Sequence, residues 1–147
     1  MNWLSDYFRN ATISGIDMNI EQIGIGELRD RISIFQCNQN DSKMLTKIGN
    51  DYGGFDLIID DGCHFKRETE NTFNTMWKFI RKNGWYAIED WGMGFKYEGT
   101  DAKEFRAYIG MVDLVLSIAN RRTKLGIGEF RILLEHGYSV ALFRKST

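Results

Sequence analysis

Two short apolar runs, FDLIID at residues 55–60 and WYAIE at residues 85–89, flank a stretch with helical spacing. Within that stretch, residues 66–81, Phe73, Met76, Trp77 and Ile80 fall on one stripe, and Asn83-Gly84 supplies an exit. Strand, helix, strand in alternation fits an α/β, mostly parallel sheet. A near-continuous apolar strand is expected to be covered on both faces. The rest of the chain fits around this unit. The end of an amphipathic helix (3–8) precedes a strand at 11–17, and a second strand with alternating apolar positions follows at 31–36. A helix is expected at 41–48, with Asp41 as N-cap and Gly49 as stop.

Downstream, residues 101–120 carry Phe105, Tyr108, Ile109, Val112, Val115, Leu116 and Ala119 at helical spacing. The runs 130–134 and 138–143 are joined only by Glu135-His136-Gly137, a link that permits only an antiparallel hairpin. The expected architecture is α/β: a Rossmann-like, mostly parallel sheet with helices on both faces and a C-terminal antiparallel hairpin. The 147 residues suffice for a single domain, 1–147. There is no proline, so the turns fall to glycine, asparagine and aspartate.

Charge and cysteine usage narrow the function classes. Nineteen basic against 20 acidic side chains give a net charge of −1, so no broad field points to nucleic acid or anionic lipid. No apolar run is long enough to span a membrane, no secretory leader is evident, and two isolated cysteines, Cys37 and Cys63, suit a reducing compartment. A cytoplasmic location is expected.

Chemistry concentrates where strands end. Ligands of open parallel sheets bind outside the carboxyl ends of the strands. Here those ends carry Asp17, Asn38-Gln39, Asp60-Asp61 and Glu89-Asp90. Asp17 is placed to accept hydrogen bonds from a ribose diol, or else to cap the turn at Met18-Asn19. Asn38 and Gln39 could read an adenine edge or form a turn. Three carboxylates, Asp61, Glu89 and Asp90, would repel one another in a cleft unless a cation lay between them, and a hard divalent ion such as Mg²⁺ takes oxygen ligands of this kind. His64, just beyond Asp61, is either a solvent-facing residue at a helix start or a general base near the cation. His136 reads as a surface residue and Cys63 as a small loop residue.

These residues resemble a known group. DDGCH at 60–64 and GWYAIEDW at 84–91 are similar to the D-D-G-S-H and G-G-x-x-x-I-E-D motifs of the Mg²⁺-dependent O-methyltransferases that act on macrolide sugars. Those enzymes are related to the cephalosporin hydroxylase-like and rhamnosyl O-methyltransferase proteins. YFRNATISGID at 7–17 and FQCNQND at 35–41 resemble further segments of the family.

The resemblance implies a class I S-adenosylmethionine (SAM) methyltransferase fold, with Asp61, Glu89 and Asp90 as metal ligands. It implies that His64, with Asp61, serves the deprotonation of a sugar hydroxyl that attacks the sulfonium methyl in line. Asp17 would hold the SAM ribose, Asn38 and Gln39 would line the adenine, and Asp60 would lie near the methionyl end. Cys63 stands where the family has serine, and Asn38 where it has aspartate. The family's preceding central strand and glycine-rich loop have no counterpart, and Gly24-Ile25-Gly26 lies in the wrong place to replace them. The fold is therefore expected to be N-terminally truncated and to act as a homo-oligomer. Two other readings stay open: a SAM-cleaving lyase or hydrolase on a shortened fold, and a catalytically inactive scaffold.

Overall fold

In the computed structural model, residues 2–22, 31–93, 102–135 and 138–147 are described. The expectations for Gly24-Ile25-Gly26 and His136 fall outside them. The chain divides into two compact units, Met1–Asp41 and Ser42–Thr147.

In the first unit, helix α1 (Asn2–Tyr7) leads into strand β1 (Ile13–Asp17), and a single 3-10 turn (Ile20–Gln22) precedes strand β2 (Ile32–Gln36). The two strands pair in parallel, from Ile13 opposite Ile32 to Asp17 opposite Gln36, so their carboxyl ends share one edge. Arg31 ties the helix down. Its guanidinium donates to the carbonyls of Ser5, Phe8 and Ala11 at 2.6–3.0 Å. Of these, the Ser5 carbonyl lies in the last turn of the helix, where carbonyls lack intrahelical donors.

The second unit holds a four-stranded mixed sheet in the order β3-β4-β6-β5. Helix α2 (Ser42–Asp51) buries Leu45 and Ile48 and leads to β3 (Phe55–Asp60). Helix α3 (Lys66–Met76) and a 3-10 turn (Trp77–Phe79) cross over to β4 (Ile80–Glu89), which runs parallel to β3. Helix α4 (Ala102–Asn120) and the short α5 (Arg122–Leu125) precede the hairpin of β5 (Ile127–Glu135) and β6 (Tyr138–Lys145). The hairpin is antiparallel, and β6 pairs antiparallel with β4. Among the described residues, no helix is long and apolar enough to cross a membrane.

Aromatic packing sets the core of this unit. The fully buried Phe73 of α3 stacks on Trp77 at 5.4 Å and meets Tyr86 and Phe143 edge-on at 5.0 and 6.0 Å. Such offset and edge-to-face pairs add to what burial alone contributes. Met111, Val112, Leu114, Val115 and Ile118 of α4 are buried; of these the expected stripe included Val112 and Val115.

Four expectations shift. Helix α2 runs past Gly49, because that residue packs its bare Cα against the Phe79 ring instead of ending the helix. The expected helix 66–81 stops at Met76, since Ile80 leaves it to pair with Phe55. Asn83, in the left-handed region at φ 62°, then turns the chain into the main run of β4. Strand β3 is not covered on both faces: Asp56 is exposed and Leu57 is 39% exposed. Among the described strands β3 pairs only with β4, which leaves it at the sheet's edge. On α4, Leu116 faces solvent, because the buried stripe runs one position away through Val115 and Ile118.

Candidate active site

The parallel pairing of β3 and β4 brings their carboxyl ends to one edge of the sheet, with Asp60 opposite Ile88. The loop after β3 carries Asp61, Gly62, Cys63 and His64, and the chain leaving β4 carries Glu89 and Asp90. Nε2 of His64 lies 3.6 Å from Oδ1 of Asp61. Ligand atoms of Asp61, His64 and Asp90 all fall within 4.8 Å of one another. Among the described residues, His64 is the one basic side chain within ion-pair distance of these acids. The ligand atoms converge, and no arginine among the described residues ion-pairs with them.

The backbone bears this convergence at a cost. His64 and Asp90 sit in the left-handed region at φ 56° and 51°, two of the three described non-glycine residues that do so. Such conformations persist only where the surroundings over-determine them, and they gather at functional sites. Asp90 is held by its neighbours: its N–H donates to the Ser139 carbonyl at 2.7 Å, and the Gly92 N–H donates to Ser139 Oγ at 2.7 Å.

Electrostatics single out two acids. Burial pushes Glu89 up from the ordinary carboxylate value, and the charges of Asp61 and Asp90 push it further. That is the signature of crowded carboxylates. Asp60, 7% exposed, is raised to about 6, chiefly by burial. Hydrogen bonds from the Tyr86 hydroxyl (2.9 Å to Oδ2) and the Gly62 amide oppose the rise.

A divalent cation suits this donor set. Asp61 and Asp90 present convergent oxygens, Glu89 stands close enough to feel both charges, and a hard ion with open positions would relieve the repulsion.

The nucleotide-facing candidates of the N-terminal unit lie at the carboxyl ends of β1 and β2. Asp17 is exposed, and its Oδ1 accepts the Asn19 N–H at 2.8 Å, so it forms the expected turn cap with Oδ2 left over. Asn38 is also a turn former: its Oδ1 accepts the Asn40 N–H at 2.8 Å, and its amide donates to Met18 Sδ at 3.2 Å. Gln39 is half-buried beside it.

The residues that sequence reasoning missed are Tyr86 and Ser139. The available signal was a hydroxyl inside an apolar strand, since a buried phenol or alcohol needs a partner.

The α/β architecture, the acid-tipped parallel strands and the closing antiparallel hairpin define a domain of the class I SAM-dependent methyltransferase fold. In sequence, the chain is a homologue of sugar O-methyltransferases. It is 34% identical over 118 residues to the 8-demethyl-8-(2-methoxy-alpha-L-rhamnosyl)-tetracenomycin-C 3'-O-methyltransferase of Streptomyces olivaceus, covering 78% of this chain and 29% of that protein. It is 36% identical over 88 residues to the mycinamicin VI 2''-O-methyltransferase of Micromonospora griseorubida, covering 60% of this chain and 21% of that one. The chain thus spans under a third of these relatives' length.

Among solved structures, the MycE methyltransferase of the mycinamycin pathway, in complex with Mg and S-adenosylhomocysteine (SAH), superposes with a TM-score of 0.71 at 26% identity. The match covers 97% of this chain and 39% of that one. A caffeoyl-CoA O-methyltransferase-like protein of Staphylococcus aureus shares the fold, with a TM-score of 0.68 at 8% identity over 97% of this chain and 79% of that one. No family model matches the chain.

Proposed function

We propose that this chain is the catalytic core of a SAM-dependent O-methyltransferase that methylates a hydroxyl of a sugar or other polyhydroxylated small molecule. The observation that carries the proposal is the convergence of Asp61, His64 and Asp90 within 4.8 Å at the carboxyl ends of β3 and β4. It occurs in a chain whose homologues carry sugar O-methyltransferase names.

Asp61, Glu89 and Asp90 are the proposed holders of a divalent cation, Mg²⁺ by the chemistry of its oxygen donors. When bound, the cation would supply Lewis-acid polarisation of the acceptor hydroxyl. His64 is the proposed base. Its Nε2 faces Asp61 at 3.6 Å, which favours the proton on that nitrogen and leaves Nδ1 of a neutral imidazole to take the hydroxyl proton. Asp61 and Asp90 flank that position and fix the approach of the acceptor, and alignment with the sulfonium methyl contributes the rest of the rate gain. In the N-terminal unit, Asp17, Asn38 and Gln39 are proposed SAM contacts; for the C-terminal unit taken by itself, the proposed contact is Asp60.

The test is calorimetric titration of SAH with and without Mg²⁺, followed by methyl transfer from labelled SAM to rhamnosylated acceptors. Mg²⁺-dependent SAH binding that His64→Ala leaves intact, together with methyl transfer that it abolishes, is the expected pattern. Absence of SAH binding under both conditions would sink the proposal.

The location proposed is cytoplasmic, and the assembly a homo-oligomer. The exposed apolar side chains Ile132, Leu133, Leu134 and Tyr138 of the β5-β6 hairpin support the second point. Light scattering that gives a monomer mass at all concentrations would refute it.

A further inference from the structure

A buried hydrogen bond lies beside the carboxylate cluster. Tyr86 lies in the main run of β4 with no solvent exposure and its ring edge-on to Phe73. Its hydroxyl donates to Oδ2 of Asp60 at 2.9 Å. The same Asp60 carboxylate accepts the Gly62 amide. Asp60 closes β3, and Gly62 sits between Asp61 and His64. One side chain therefore links the interior of one strand to the loop after another.

That loop needs an anchor. Asp61, Gly62 and Cys63 are exposed, and His64 holds a left-handed backbone at φ 56°. Phe65, at the start of α3, offers no side-chain cap. A strained conformation on an exposed loop persists only if something rigid over-determines it. One rigid element in reach is the Tyr86 ring, edge-on to Phe73, with the carboxylate it holds.

We propose that Tyr86 is a positioning residue of the cation site: through Asp60 and the Gly62 amide it fixes the 61–64 loop so that Asp61 and His64 converge on Asp90. The inference rests on reading Asp61 and Asp90 as cation ligands. Tyr86 makes its described side-chain contacts with Asp60 and Phe73. It acts by removing the loop's freedom, as outer partners of metal ligands do.

The experiment measures Mn²⁺, as a spectroscopic stand-in for Mg²⁺, by the resonance of the free ion in titrations of the whole chain. Tyr86→Phe keeps the ring and its packing and deletes only the donor. It should weaken Mn²⁺ binding by about 10-fold or more, the range seen when outer partners of ligands are removed. In the metal-free protein it should also speed amide exchange at 61–64. Leu45→Ala, at a buried position of α2, is the control, because it loosens the core without removing the ring that packs against Tyr86. It should leave the Mn²⁺ affinity at the wild-type value.

Wild-type affinity in Tyr86→Phe, or equal losses in both variants, would overturn the positioning role and leave the cation site standing. Failure of the wild type to bind Mn²⁺ would overturn the cation site itself. If Tyr86→Phe does not fold, 3-fluorotyrosine at position 86 preserves ring and hydroxyl. Its fluorine resonance should shift as Mg²⁺ saturates, and an unmoved resonance counts against the proposal.

Discussion

His64 Nε2 faces Asp61 Oδ1 across 3.6 Å while the His64 backbone occupies the left-handed region at φ 56°. A base and an acid are brought together by a conformation that glycine would adopt more readily. Function and stability therefore pull apart at this residue. His64→Gly should be more stable than His64→Ala by about 1 kcal/mol, because only the alanine pays the left-handed penalty. Both should lose methyl transfer by about 10²-fold or more. Urea denaturation of the two variants, run beside activity, checks the split; equal stabilities would mean the backbone is relaxed.

Crowding among the acids gives a second expectation. Glu89 is raised by burial and by the charges of Asp61 and Asp90, so removing a charge relieves repulsion in the metal-free protein. Asp90→Asn should leave metal-free stability equal or higher, while the stabilisation conferred by Mg²⁺ shrinks. For the wild type that stabilisation should be about 2.7 kcal/mol at a hundredfold excess over Kd. Thermal melts with and without Mg²⁺ measure both halves, and an Mg²⁺-dependent gain that survives Asp90→Asn would remove Asp90 from the site.

Asp60 supplies the pH dependence. Its folded value of about 6 lies above the ordinary 3.8, so the native state binds its proton more tightly than the unfolded chain does. The contribution to stability is thus fully present below about pH 3.8 and is lost as pH rises through about 6, the reverse of a salt-bridged aspartate. The difference amounts to on the order of 3 kcal/mol. Glu89, raised in the same direction, adds to the slope. Denaturation of the metal-free protein from pH 4 to 7 should show this decline, and Asp60→Asn should flatten it. An unchanged slope in the variant would assign it elsewhere.

Much of this architecture was legible because apolar runs and acid-tipped strand ends are local signals. Strand β3 matches the run 55–60 residue for residue, and the hairpin followed from its short link. Boundaries failed where one residue satisfied two patterns. Ile80 continues the helical stripe of Phe73, Met76 and Trp77, yet its partner is Phe55 on β3, which no helical period reveals. Leu116 likewise fits a stripe on paper and faces solvent in the fold. At the site, Asp61, His64 and Asp90 announced themselves by position. Tyr86 and Ser139 did not, because a hydroxyl in an apolar strand shows that a partner exists without showing which one. The partners, Asp60 and the Gly92 amide, lie 26 and 47 residues away.

Ser139 carries the last prediction. It holds the chain after β4 by two contacts, its carbonyl on the Asp90 amide and its hydroxyl on the buried Gly92 amide. A Cβ on Gly92 would come within 2.9 Å of the Ser139 Cβ and 2.7 Å of a Leu134 methyl, so the two chains approach as closely as glycine permits. Ser139→Ala strands the Gly92 donor and should cost about 1–3 kcal/mol. Gly92→Ala should cost about 1–3 kcal/mol by overpacking. The two differ in what they do to Asp90. Ser139→Ala keeps the carbonyl contact and should retain most of the Mg²⁺-dependent gain in melting temperature. Gly92→Ala must move the backbone two residues from Asp90 and should lose that gain along with stability. Equal retention of Mg²⁺ response in both variants would show that the site tolerates the shift, and that Asp90 is held by its own amide contact alone.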